Sequence, residues 1–325
     1  MKAISTIAGV IAMALLASCV KDELPVPKQP RGDALVGSAT IGSDYSQQVW
    51  YDLGTNSVVS TNDKMAWDLA FNCAPTGWEV RINSSHFMRA VNTGQTDISQ
   101  PTDTTGFGPR WDIDLSDGDV DSLAIGDWRT DHPILLIDMG YNVIGLPVGL
   151  RKLQVLAVSA SSYQFQLANV DGSNVQAYSV QKDPTRSYVH FSITAGSAIT
   201  IAPPLGTYDL VFTQFTKQFY APDPVIPYLV TGAINGFSNI RVAEVIGDLA
   251  AITLDDTVAH PFSRAEDAIG YNWKDFSFGT SSYAIYPDHI YIIQDTDGLF
   301  FKLHFIDFYS PDGLRGTPTF ELMPL

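Results

Sequence analysis

The groups that could do chemistry in this 325-residue chain are few: six histidines, two cysteines and a surplus of acids. The densest cluster is "WDIDLSDGDVDSL", which sets Asp112, Asp114, Asp117, Asp119 and Asp121 close together. Hard cations such as calcium take several carboxylate oxygens at short range. The segment lacks the glycine and distal glutamate of a helix–loop–helix calcium site, so it reads as a solvated acidic loop. Asp295-Thr296-Asp297-Gly298 reads in the same way as a turn. There is no G-x-S-x-G elbow, H-E-x-x-H pair, C-x-x-C or phosphate-cradling glycine loop. His190, His289 and His304 fall in strand-like segments and form no recognisable triad with a serine. Catalysis is not expected.

The cysteines point elsewhere. The chain opens "MKAISTIAGV IAMALLASCV KDELPVPKQP". Lys2 precedes an apolar run over residues 3–17, shorter than the roughly 20 residues that span a bilayer. A positive start, an apolar middle and small residues make a secretory signal, and Leu16-Ala17-Ser18-Cys19 reads as a bacterial lipobox. Residues 1–18 are then the signal peptide, Cys19 is the lipidation site, and residues 19–33 are a tether held extended by Pro25, Pro27 and Pro30. Lys21-Asp22-Glu23 resembles the signal that sends Bacteroidota lipoproteins to the outer face of the outer membrane. With Cys19 lipidated, Cys73 has no partner for a disulfide and reads as a small buried apolar residue. Net charge is -16, and losing Lys2 takes the mature chain from -16 to -17. Such a surface repels phosphate backbones and excludes nucleic acid as a partner. The lipid is the expected membrane contact.

Groups meant to act together need a scaffold, and the residue pattern supplies β-structure. Phe, Tyr, Val, Ile and Thr recur with period two. In "AWDLAFNC", Trp67, Leu69 and Phe71 share a face, as do Tyr208, Leu210 and Phe212 in "GTYDLVFTQF". "HIYIIQDTDGLFFKLHFIDF" reads as a hairpin turning at Asp297-Gly298. Short helices are expected only in residues 117–125 and 264–269. Three motif pairs run in the same order: "WDLAF" with "YDLVF", "AIGDWR" (Trp128) with "AIGYNWK" (Trp273), and "LRKLQVLAV" (Lys152) with "FFKLHFIDF" (Lys302). Their offsets of 141, 145 and 150 suggest an internal duplication. The halves are placed at residues 34–197 and 198–325, either as two units or as one continuous domain.

"WDLAF", "WEVRINS", "PYLVTGAINGFSNIRVAEV", "AIGYNWKDFSF" and "YIIQDTDGLFFKLHFIDFYSPDGLRGTPTFELMPL" resemble the HmuY family of Bacteroidota haem-binding lipoproteins. The match is clearest around residues 67–84 and over the last hundred or so residues. The resemblance implies a mostly-β antiparallel fold on the cell surface that takes haem and passes it to a TonB-dependent outer-membrane receptor. It also implies iron held between two histidines or two methionines, which leaves no open position for oxygen chemistry. In the C-terminal match Phe278 stands where one family histidine would, and residues 245–250 contain none. The N-terminal half offers His132, four residues after Trp128, and His86 in "WEVRINSSHFM". The expected axial pair is therefore His86 and His132, with Met88, Met139 and His260 as alternates. A second reading needs no haem: Trp50, Trp78, Trp111, Trp128 and the aromatics of residues 218–220 could stack on sugars, making a glycan-binding or adhesive lipoprotein.

Overall fold

A computed structural model describes residues 33–221 and 224–325. The expected signal peptide, Cys19 and the tether up to residue 32 lie outside the described residues. Residues from Asp33 to Leu325 form one compact unit. Its strands are β1 (Leu35–Ser38), β2 (Gln47–Asp52), β3 (Ser57–Asp63), β4 (Leu69–Asn72), β5 (Val80–Ile82), β6 (Arg89–Asn92), β7 (Leu135–Asp138), β8 (Leu150–Val158), β9 (Ser162–Ala168) and β10 (Gln176–Gln181). They continue with β11 (Tyr188–Ser192), β12 (Ser197–Ile199), β13 (Leu210–Phe219), β14 (Ile226–Ile234), β15 (Arg241–Ile246), β16 (Lys274–Ser277), β17 (Ser282–Ile285), β18 (His289–Gln294), β19 (Phe300–Tyr309) and β20 (Arg315–Pro324).

Two five-stranded and two four-stranded antiparallel sheets result. One lobe pairs the sheet β10-β9-β8-β7-β6 with the sheet β12-β11-β4-β5; the other pairs β1-β20-β19-β18-β15 with β14-β13-β2-β3. Each lobe closes on its own core. The first is built around Phe71, Trp128, Tyr163 and Phe165, the second around Phe212, Trp273, Phe305 and Phe320. The two four-stranded sheets then meet through Trp50, Tyr208, Val211 and Phe215, with Trp67 and Ile199 against them. This second covering changes one expectation. Leu69 and Phe71 do face the first core, but Asp68 and Ala70 on the other side of the strand are buried as well.

Burial of Asp68 is tolerated because its carboxylate accepts the Ile193 N–H at 2.6 Å. Asp209, beside β13, accepts the Leu53 N–H at 2.8 Å in the matching place. Burial pushes both carboxyls up to about 6. Beside them the Trp67–His190 and Tyr208–Trp50 pairs meet edge-on at 4.6 and 4.8 Å. The paired motifs thus occupy corresponding positions in the two lobes.

The boundary expected at residues 197/198 is not where the hydrogen bonds divide the chain. β1 pairs with β20 and β2 with β13, so the first three strands complete the lobe made by the C-terminal residues. The hairpin of β18 and β19 is present, with Gly298 at φ +83° in its turn. Residues 117–125 contain one 3-10 turn, Val120–Ser122, capped by Asp119. Residues 264–269 form no helix. Their backbone groups bond sideways, Glu266 C=O to Asn235 N–H and Asp267 N–H to Ser116 C=O, which leaves none for an i-to-i-4 ladder.

Candidate functional site

The fold gathers three of the five sequence-derived ligand candidates, His86, Met88 and Met139, around the first core and places His132 and His260 elsewhere. His86 ends the one-turn helix Ser84–His86 and is buried. Its Nδ1 lies 3.0 Å from the Met139 carbonyl, while Nε2 is buried without a partner. Burial disfavours the imidazolium and lowers its pKa to about 4. His132 is half-buried in a turn at φ +44°, with Nδ1 3.1 Å from the Val155 carbonyl. His132 precedes β7, and Met139, which touches His86, follows it. At about 3.3 Å per strand residue that separation is up to about 23 Å. Two imidazoles on one metal, each bonded at about 2 Å, need to be about 4 Å apart. The structure does not bring the pair together.

Met88 and Met139 are both buried in the first core beside Leu69 and Trp128. His260 follows the helical turn Asp256–Ala259, its Nε2 3.9 Å from the Asp256 carboxylate. Phe278 sits at the tip of the β16–β17 hairpin, 89% exposed, so the position where the family would place a histidine faces water. His289 and His304 pair with Glu244 and Glu321 at 2.7 and 2.9 Å, and His190 lies under Trp67. Among the described residues no cluster of three or more His, Cys, Asp or Glu is placed to hold a metal ion. The acidic run is used internally. Asp114 accepts the Ile82 and Ala124 N–H groups at 2.9 Å, and Asp117 and Asp119 cap their own turns.

Space for a ligand lies where the lobes meet. Between the four-stranded sheets an enclosed chamber lined by Trp50, Trp67, Phe215 and Phe237 offers only about 70 Å³, room for a few waters. A larger open cleft of about 650 Å³ falls in the size range of small-molecule sites, about 300–1,000 Å³. It is lined by Phe87, Tyr141 and Val143 from the first lobe and by Tyr45, Tyr228, Leu229 and Arg315 from the second.

Local structure explains the first lobe's contribution. Phe87 leaves the His86 turn in the left-handed region, φ +67°. The loop between β7 and β8 is drawn onto that turn by the Tyr141 N–H, which donates to the His86 carbonyl at 2.9 Å. Gly140 makes the approach possible: it sits at φ +67°, and a Cβ there would lie 2.0 Å from the His86 oxygen. Phe87 and Tyr141 therefore stand side by side, ring centroids 6.2 Å apart. Asn142 ties the loop back on itself through Ile144 and Leu146, leaving the apolar Ile144 and Leu146 side chains 76% and 55% exposed.

The cleft carries two cations and one carboxylate in a chain of net charge -16. Lys64 is buried, donates Nζ to Gln214 Oε1, and has its pKa lowered by burial. Arg315 donates Nε to the Ser43 carbonyl at 3.3 Å and lies over the Tyr45 ring at 5.2 Å. Asp44 is held ionised by its hydrogen bond with Ser46. Burial and the bond to Tyr283 push the Tyr45 phenol up, so it keeps its proton. Metal-ligand reasoning from the sequence passes over these residues. The available signal was the apolar content of the turn-rich "GYNVIGLP" segment, since loops seldom spend Val, Ile and Leu on solvent.

Of the aromatics in the glycan reading, Trp50 and Trp128 are buried and Trp78 lies under the Arg129 guanidinium at 4.2 Å, whereas Tyr220 is exposed.

Fold and cleft together define a mostly-β, antiparallel, two-lobed protein with an aromatic groove at the lobe junction. The model of the HmuY protein family matches residues 44–322, and the chain belongs to that family. No curated protein sequence matches it. Among solved structures, apo PinO from Porphyromonas gingivitis is 6% identical, covering 90% of this chain and 98% of its own, with a TM-score of 0.30. An HmuY-like protein from Bacteroides vulgatus is 10% identical, with 90% and 94% covered and a TM-score of 0.23. An apo HmuY analog from Tannerella forsythia is 11% identical, with 91% and 100% covered and a TM-score of 0.23.

Proposed function

We propose that this chain is a surface lipoprotein, anchored through Cys19, that binds haem or a related porphyrin without chemistry on it. The bound molecule is then passed to a TonB-dependent receptor in the outer membrane. Membership of the HmuY family supports the ligand class. The observation that carries the location is the cleft between Phe87, Tyr141 and Tyr228, with Arg315 and Lys64 at its margin. A porphyrin is a flat apolar disc bearing two carboxylates. Aromatic walls suit its faces, and a guanidinium suits its carboxylates.

The test is a haem titration of residues 34–325, followed by absorbance under oxidising and reducing conditions. Saturable one-to-one binding that weakens in the double variant Phe87→Ala/Tyr141→Ala supports the reading. A flat titration in both redox states overturns it, and carbohydrate arrays would then test the glycan alternative. Anchoring is checked separately: lipid labelling that vanishes in Cys19→Ala, with protease-accessible protein on intact cells, is the expected result.

A further inference from the structure

The residues lining the cleft include no histidine, methionine or cysteine. None of the described histidines lines the cleft: His86 meets the Met139 carbonyl through Nδ1 and keeps Nε2 buried, His132 Nδ1 meets the Val155 carbonyl, His190 meets the Trp67 ring edge-on, and His260, His289 and His304 lie beside Asp256, Glu244 and Glu321. Met88 and Met139 are sealed in the first core. The cleft offers a planar ligand three aromatic side chains, Phe87 and Tyr141 from one lobe and Tyr228 from the other, with the Arg315 guanidinium among its lining. Stacked rings act on a ring face and a guanidinium on carboxylates, neither on a central metal; the Tyr141 phenol is of a type that can ligate haem iron, which Tyr141→Phe tests below. The Tyr45 phenol, the most enclosed in the cleft, is engaged with Tyr283 at 3.4 Å.

Resting on the porphyrin reading above, we propose that this chain recognises the tetrapyrrole by its ring faces and carboxylates and not by its iron, so that metal-free protoporphyrin is as good a ligand as haem. Stacking on aromatic side chains contributes whether or not a metal sits at the centre of the ring. Pairing of Arg315 with a propionate likewise ignores the metal. A protein of this kind collects the whole porphyrin pool. Its iron-bearing cargo would keep the absorbance of a haem without strong protein ligands, not the sharp low-spin spectrum of a bis-imidazole site.

The experiment titrates residues 34–325 in parallel with haem, metal-free protoporphyrin and zinc protoporphyrin, using intrinsic fluorescence quenching. The expected result is dissociation constants within about tenfold of one another. Tyr141→Ala and Tyr228→Ala should weaken all three together, and Tyr141→Phe should change none. A preference for haem beyond about tenfold overturns the proposal while leaving haem binding intact, as does selective loss of haem binding in Tyr141→Phe. If none of the three binds, the porphyrin reading itself falls. Thermal unfolding of each variant separates lost binding from lost fold.

Discussion

Lys152 and Lys302 occupy matching points in the two five-stranded sheets, and each buried ammonium holds a loop by two backbone carbonyls. Lys152 Nζ donates to Ile98 and Gln100 at 2.5 and 2.6 Å, and Lys302 Nζ to Leu249 and Ile252, both at 2.8 Å. Both amines have their pKa lowered by burial. Replacing either with methionine keeps the stem's packing but strands two buried carbonyls. Each of Lys152→Met and Lys302→Met should cost about 2–4 kcal/mol, read from urea unfolding. The sites share no partner, so the double variant should lose the sum. A loss below about 0.5 kcal/mol in either single variant would show that the loops are held by other contacts.

Stability should also fall as pH rises through the weakly acidic range. Glu266 reaches the lobe junction, where burial raises its carboxyl to about 7 despite Arg81; Asp114, Asp267 and Asp117 add repulsion. Burial likewise raises Asp114, to about 6. Below about pH 4 these groups are protonated in both folded and unfolded chains. Between about 4.5 and 7 the unfolded chain releases protons that the folded one keeps, so stability decreases with rising pH and then levels off. Glu266→Gln should flatten that slope and stabilise the protein at pH 8 by about 2 kcal/mol. An unchanged slope in denaturant midpoints from pH 4.5 to 8 would contradict this account.

The histidines supply a sharp negative control. Because His86 and His132 flank β7 at opposite ends, His132→Ala should leave porphyrin affinity and spectrum unchanged. His86→Ala removes a buried ring and its bond to Met139 and should cost about 1–3 kcal/mol of stability. Loss of a low-spin haem spectrum in both variants would restore the pair as ligands.

Gly140 tests the cleft wall without touching a ligand-facing side chain. Gly140→Ala forces a Cβ onto the His86 carbonyl at positive φ, so the loop must move away from Phe87. Stability should drop by about 1–2 kcal/mol or more, and porphyrin affinity should fall with it. Unaltered affinity in a folded variant would show that Tyr141 does not shape the site.

The strands and the terminal hairpin were legible because they rest on local alternation and turn chemistry. Two other features were not. Which strands meet is set by packing between segments far apart in sequence: nothing near Leu35 announces its pairing with Leu322. A period-two pattern also cannot reveal a second covering layer, so nothing in the sequence marks Asp68 as the buried acceptor it is. The cleft was missed for a chemical reason. A search for iron leads to histidines, yet here those are bound up in the scaffold, while the groove is made by Phe87, Tyr141 and Tyr228 from three separate connections and strands.

The pairing of β1 with β20 and of β2 with β13 sets an order of events for the newly made chain. β1 has no hydrogen-bonding partner until β20 exists, and the β2–β3 hairpin gains its third strand only when β13 is made, whereas β4–β12 can close among themselves. The middle of the polypeptide is therefore able to mature first, while its beginning waits as an unpaired edge for its end. Such distant pairing slows folding and exposes strand edges to aggregation in the interval. β1 and β20 are neighbours in one sheet, so loss of either strand opens the same edge.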